Sequence, residues 1–161
     1  MGWPLASLDE HSACYFEEAG YESEVARPLA GVGHARKWEY DRQFFPDAIR
    51  GILRDYGRGH IIDFGGRHSL FEDTQTLDEV RDVLRPYPHV VLVLPSPDLD
   101  ESLRILDERR GMRHLLYGFD ANALMLRHDS NYVLARQHHF NHRKNPEESS
   151  REIIDMLASE S

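Results

Sequence analysis

The sequence predicts an α/β domain, three layers (α/β/α) around a mainly parallel sheet, and three observations carry that expectation. The run His89-Val90-Val91-Leu92-Val93-Leu94 is apolar without a break after its first residue, the pattern of a strand covered on both faces. A second short run, Ile61-Ile62-Asp63-Phe64, stops at Gly65-Gly66, as a strand does when its carboxyl end must turn sharply and leave room for a ligand. Segments of helical spacing alternate with such runs along the chain, the order of βαβ units. In open α/β sheets ligands sit at the carboxyl ends of the strands, which makes Asp63 to Ser69 the expected floor of a site.

At 161 residues the chain is about one domain, long enough to bury a core without disulfides or metals. Its single cysteine, Cys14, excludes an internal disulfide and fits a reducing cytoplasm. No apolar run approaches the ~20 residues that span a bilayer, so no membrane partner is expected. The net charge of −9 argues against a nucleic-acid partner, which needs a basic surface to neutralise phosphates.

In chain order, Leu5 to Leu8 reads as a short strand with Asp9 at its carboxyl end. Asp9-Glu10 opens a helix to about Ala19, where acids suit the helix dipole and Gly20 caps the end. Glu22 to Ala26 makes a further turn before Pro28, and Ala30 to Gly33 is a loop. A long helix runs from Ala35 to Tyr56, with Trp38, Phe45, Ile49, Ile52 and Leu53 at helical spacing and Pro46 kinking or dividing it. After the strand His60 to Phe64, Leu77, Val80, Val83 and Leu84 mark a helix from Thr76 to Leu84. The strand His89 to Leu94 follows, then a helix from Asp98 to Arg110 and a loop from Gly111 to Tyr117. Asn122 to Arg127 and Asn131 to Ala135 read as short helices, and Gln137 to Asn141 as a weak strand. Asn145-Pro146-Glu147-Glu148 carries an N-cap, a first-position proline and two acids, and starts a helix reaching about Ala158. Cys14 reads as a small core residue.

The order of these features resembles the shikimate kinase-like branch of the P-loop kinases. Pro4 to Asp9 is similar to that family's second strand, with Ser7 where the first acid of an acid–x–acid pair stands. Ile61 to Arg67 resembles its third strand and triple glycine, Arg67 replacing the last. Val90 to Pro95 looks like the fourth strand, and Arg109, Arg110 and Arg113 lie where the family keeps its lid. Arg127, Tyr132 and Ala135 match the spacing of the motif after the lid, and Asn145 to Glu148 resembles the start of the last helix. The resemblance implies one kinase-like domain over residues 1–161, N-terminally incomplete.

The family's first strand, first helix and glycine-rich Lys-Ser/Thr phosphate loop have no counterpart in the sequence. Gly31-Val32-Gly33-His34 lacks the lysine and does not follow a strand. That loop supplies backbone N–H groups, a lysine and a Mg²⁺-binding hydroxyl, and phosphoryl transfer consists almost wholly of such positioning and charge neutralisation. A late-assigned start, a truncation and true degeneration all fit. The family's missing strand is central, so the third and fourth strands are expected either to pair directly or to have their edges covered by another chain, such as a homodimer partner.

Two functions of different class follow. One is an ATP- and Mg²⁺-dependent phosphotransferase to a hydroxyl of a small acid, impaired without its phosphate loop. The other is a non-catalytic ligand- or protein-binding module. Asp9 is the candidate for orienting or deprotonating the acceptor hydroxyl, or else a helix N-cap. Asp63 is the candidate for Mg²⁺ through water, or else a buried structural carboxylate. Gly65 and Gly66 allow close backbone approach; Arg67 suits a substrate carboxylate or phosphate, and Arg36, at the start of the long helix, lies where the resemblance places a substrate arginine. By the resemblance, Arg109, Arg110 and Arg127 are nucleotide candidates. His138, His139 and His142 have no ligating partners at a metal spacing, so no metal cluster is assigned.

Overall fold

The strands are three or four residues long, and helices dominate the computed structural model, which describes residues 2–110 and 120–159. Strand β1 (Leu5–Ser7) pairs in parallel with β2 (Ile61–Asp63), in the register Leu5↔Ile61, Ala6↔Ile62, Ser7↔Asp63. Strand β3 (Val91–Leu94) pairs in parallel with β4 (Gln137–Phe140), Val91 opposite Gln137 and Leu94 opposite Phe140. The mixed α/β class and the parallel pairing agree with the sequence. The described residues form two separate two-stranded sheets rather than one broad sheet, and β2 and β3 do not pair.

The strands are also less covered than their apolar runs predict. Leu5 and Ile61, side by side on one face of the first ribbon, are 66% and 54% exposed, whereas Ala6 on the opposite face is buried. In the second ribbon Val93 is 47% exposed and its neighbour Leu94 is buried. The reading of β3 as covered on both faces is therefore corrected. An unbroken apolar run marks what a strand can bury, and the cover itself must come from elsewhere in the fold.

Helix α1 (Leu8–Glu18) buries Leu8, Ser12, Tyr15 and Phe16, one stripe at the i, i+4, i+7, i+8 spacing. Cys14 lies off that stripe and is exposed, not a core residue. Helix α2 (Ser23–Val32) continues through Pro28, where the sequence predicted a break and a loop. Pro28 is exposed, so its ring sits on the solvent side, and the chain breaks instead at Gly33, whose φ is +150°. The expected single helix of residues 35–56 is two: α3 (His34–Asp41) and α4 (Phe45–Tyr56), joined by a 3₁₀ turn, Arg42–Phe44. The division lies just before Pro46 because proline fits the first turn of a helix, where its missing N–H leaves nothing unpaired.

Helix α5 (Thr74–Leu84) is capped by Asp73, whose carboxylate accepts the Thr76 N–H at 2.7 Å. Helices α6 (Leu99–Arg110), α7 (Ala121–Arg127) and α8 (Asp129–Leu134) lead to β4. Helix α9 (Pro146–Ser159) opens with a reciprocal capping box. Asn145 Oδ1 accepts from Glu148 N, and Glu148 Oε2 accepts from Asn145 N. The expected loop of residues 111–117, including Arg113, lies outside the described residues.

The core sits where α1 and α4 pack against β1, β2 and α5. Phe45, Ile49, Ile52, Leu8 and Val80 are almost wholly inaccessible, and Trp38 meets Phe45 edge-on at 5.4 Å. No helix among the described residues is long and apolar enough to cross a membrane.

Candidate functional site

Strand β2 ends at Asp63, and the turn after it is built by that same side chain. Asp63 Oδ1 accepts the Gly65 N–H at 2.8 Å, the self-bonded turn that aspartate favours. Gly65 takes φ +63°, the left-handed region that a residue with a Cβ resists. The reversal presses Gly65 against α1: a Cβ there would stand 2.7 Å from Asp9 Oδ2.

Asp9 is not the N-cap of α1, a position that falls to Ser7 because the helix already starts at Leu8; it lies in the first turn, where the helix dipole favours a carboxylate. Arg67 Nε lies 3.6 Å from Asp9 Oδ1, with the two side chains 38% and 54% exposed. That is an ion pair without a tight hydrogen bond, at most about 1 kcal/mol at such exposure, so a ligand anion could take the guanidinium over. His68, next in the chain, is wholly buried. Its Nδ1 lies 2.8 Å from the Phe64 carbonyl oxygen and 3.7 Å from Asp9 Oδ1, and its ring meets Phe45 edge-on at 4.8 Å. Burial pushes the imidazole below its ordinary value, assisted by Arg67 and opposed by the Phe64 carbonyl and by Asp9 and Asp63.

The far side of the turn is pinned to α7 and α8. A Cβ on Gly66 would meet Met125 Sδ at 2.9 Å. Ser69 Oγ donates to Asn131 Oδ1 at 2.6 Å, and buried Ser130 Oγ accepts from Phe71 N–H at 3.2 Å and lies 2.5 Å from the Ser69 carbonyl oxygen. The Asp63–Ser69 segment thus bridges the helix following β1 and the helices preceding β4. At its surface it offers a carboxylate, an arginine not locked to it and backbone without a side chain, a set that can hold an anionic group beside a hydroxyl.

No protein-family model, curated protein or solved structure matches this chain.

Of the residues singled out in the sequence, Asp9, Asp63, Gly65, Gly66 and Arg67 meet in this one corner. Asp63 is exposed rather than buried, and one of its oxygens is committed to the turn. The remaining arginines lie elsewhere. Arg36 is exposed on α3, Arg109 is exposed near the end of α6, and Arg110 is that helix's last residue. Arg127 Nη2 sits 2.6 Å from Asp100 Oδ1 and ties the end of α7 to the start of α6. Among the described residues no ion pair joins Arg36, Arg109 or Arg127 to Asp9. His139 is buried with Nδ1 3.7 Å from Glu152, His138 lies against the Tyr132 ring, and no group of three or more His, Cys, Asp or Glu side chains among the described residues is placed to hold a metal ion.

Two open grooves lie away from the corner. One, of about 430 Å³, runs along α9 past Pro146, Ser150 and Ile154; the other, of about 400 Å³, lies between α1 and α4 around Tyr15, Arg50 and Arg54. Neither groove lies at strand ends or includes Asp9, Gly65 or Arg67. Sequence reasoning left out His68, although it lies inside the glycine turn, and Ser130 and Asn131, whose partners are about sixty residues away in the chain. The histidine's position directly after Arg67 was the available signal; its burial depends on Phe45.

Proposed function

We propose that this chain is a shikimate kinase-like α/β protein of the cytoplasm whose Asp9–Gly65–Arg67 corner binds a small hydroxylated acid. The observation that carries the reading is the meeting of Asp9, from the end of the first strand segment, with Gly65 and Arg67, from the turn after the second. In this reading Arg67 takes the carboxylate of the acid. Asp9 accepts a hydrogen bond from its hydroxyl, and in an active relative would orient or deprotonate it for phosphoryl transfer. Strand pairing supports the same reading. Two parallel ribbons, β1–β2 and β3–β4, with β2 and β3 unpaired among the described residues, are compatible with the family's sheet with its central strand left out. With that strand in place the ribbons would join into the single parallel sheet of a three-layer domain.

Asp63 has one oxygen left for a water of Mg²⁺, and ATP is the phosphate donor that the resemblance implies. Phosphoryl transfer would also need a Lys-Ser/Thr phosphate loop, which these residues do not include. What they supply is the acid-binding half of the pocket, and the proposal takes for them the form of a non-catalytic binding module. Calorimetry separates the two. We expect shikimate or quinate to bind and Asp9→Asn or Arg67→Met to abolish that binding, with no micromolar affinity for ATP in the presence of Mg²⁺. Micromolar ATP binding would overturn the non-catalytic form.

A further inference from the structure

We propose that His68 is the positioning residue of this corner, a neutral imidazole with its proton on Nδ1 that ties residue 68 back to Phe64 and so sets where Gly65 and Arg67 meet Asp9. The inference rests on the reading of the corner as a ligand site. It starts from an imbalance around the ring: Nδ1 is 2.8 Å from the Phe64 carbonyl oxygen, while Nε2 is buried with no hydrogen-bond partner among the described residues.

A carbonyl oxygen can only accept, so Nδ1 must carry the proton. A second proton on Nε2 would be a buried donor facing nothing, which is costly. Only one protonation state and one tautomer suit the site. The Phe64–His68 bond closes a loop of five residues, and Gly65, Gly66 and Arg67 are the residues inside it. Outside the loop, the Phe45 ring from α4 packs edge-on against the imidazole, which is wholly buried. The charged groups around the ring are Asp9 from α1 and Asp63 and Arg67 from its own segment. Arg67 owes its place beside Asp9 to this closure, because their own contact, at 3.6 Å, is too loose to fix either side chain.

The test uses substitutions that keep a polar side chain. His68→Asn puts an amide N–H close to where Nδ1 stands; His68→Gln carries its amide out toward the Nε2 position. Long-range ¹⁵N–¹H spectra of the wild-type rings at pH 8 should show His68 protonated on Nδ1. In amide spectra His68→Asn should leave Gly65, Gly66 and Arg67 near their wild-type shifts, while His68→Gln moves all three. Shikimate affinity should stay within about twofold in the Asn variant and fall roughly tenfold in the Gln variant, the size of one lost hydrogen bond. An Nε2–H tautomer, or Asn and Gln variants with the same amide pattern, would overturn the proposal. The tautomer spectrum decides even if neither variant folds. If neither shikimate nor quinate binds the wild type, the ligand reading falls, while the tautomer and amide shifts still decide what His68 does.

Discussion

Replacing Gly65 by alanine tests the corner from the inside. Two separate costs are expected. The first is conformational: at φ +63° a residue with a Cβ costs about 1–2 kcal/mol. The second is steric, because the new Cβ would lie 2.7 Å from Asp9 Oδ2. Asp9 is half exposed and its carboxylate can swing away, so this cost is limited to what Asp9 gives up, chiefly its pair with Arg67, at most about 1 kcal/mol. Gly65→Ala should therefore destabilise by about 1–3 kcal/mol. Gly59→Ala is the control, since its φ is +76° with nothing within 4 Å of the built Cβ, and it should show the conformational cost alone. In an Asp9→Ala background the Gly65→Ala cost should shrink to that of Gly59→Ala, a coupling of about 0.5–1 kcal/mol. Urea unfolding followed by circular dichroism, with unchanged slopes, gives all four values. Equal costs of Gly65→Ala in the two backgrounds would refute the contact between the glycine turn and Asp9 on which the site is built.

Three further predictions follow from the packing and the ribbons. Phe45→Ala should cost about 3–5 kcal/mol, because the ring is wholly buried and touches Phe16, Trp38 and His68; a loss under about 1 kcal/mol by urea unfolding would place the core elsewhere. Burial holds His68 below its ordinary value of 6.5, so the unfolded chain takes up the proton first. Its contribution to stability should be complete above about pH 6.5 and be lost as pH falls from there through the lowered folded value, and His68→Asn should flatten that part of the stability–pH curve; identical curves for the two proteins would contradict the burial. Each ribbon has only two strands and so leaves strand edges unpaired, and Leu5 and Ile61 on one and Val93 on the other are exposed; this should favour self-association, read as a dimer by light scattering at micromolar concentration. A strict monomer at millimolar concentration would show that the ribbons need no partner.

What the sequence made legible was local. The Ile49–Ile52–Leu53 stripe, the Asn145 capping box and the strand ends at Asp63 and Leu94 each depend on a few neighbouring residues, and each was placed within about two residues. The corner was legible too, because strand ends followed by glycines concentrate ligand-facing residues. The misses share one cause, a competing influence from distant parts of the chain. Pro28 stays helical because its ring faces solvent, which neighbouring residues do not reveal. Cys14 falls off the buried stripe by a rotation that depends on where α4 packs. Asp63 reads as buried among apolar neighbours, yet β2 has its cover on one side only. His68 acquires its role from Phe45, twenty-three positions away, and from a carbonyl four residues back. Whether β2 and β3 pair could not be read from either run, since both carry the same apolar signal.

The most direct test of the account is an amide ¹⁵N–¹H titration of the wild-type chain with quinate and with shikimate. The account predicts saturable shifts for at least one of the two acids, centred on Asp9, Gly65, Gly66 and Arg67 and absent from Arg36, Arg109 and Arg127. Shifts confined to the grooves along α9 or between α1 and α4, or none with either acid, would contradict it.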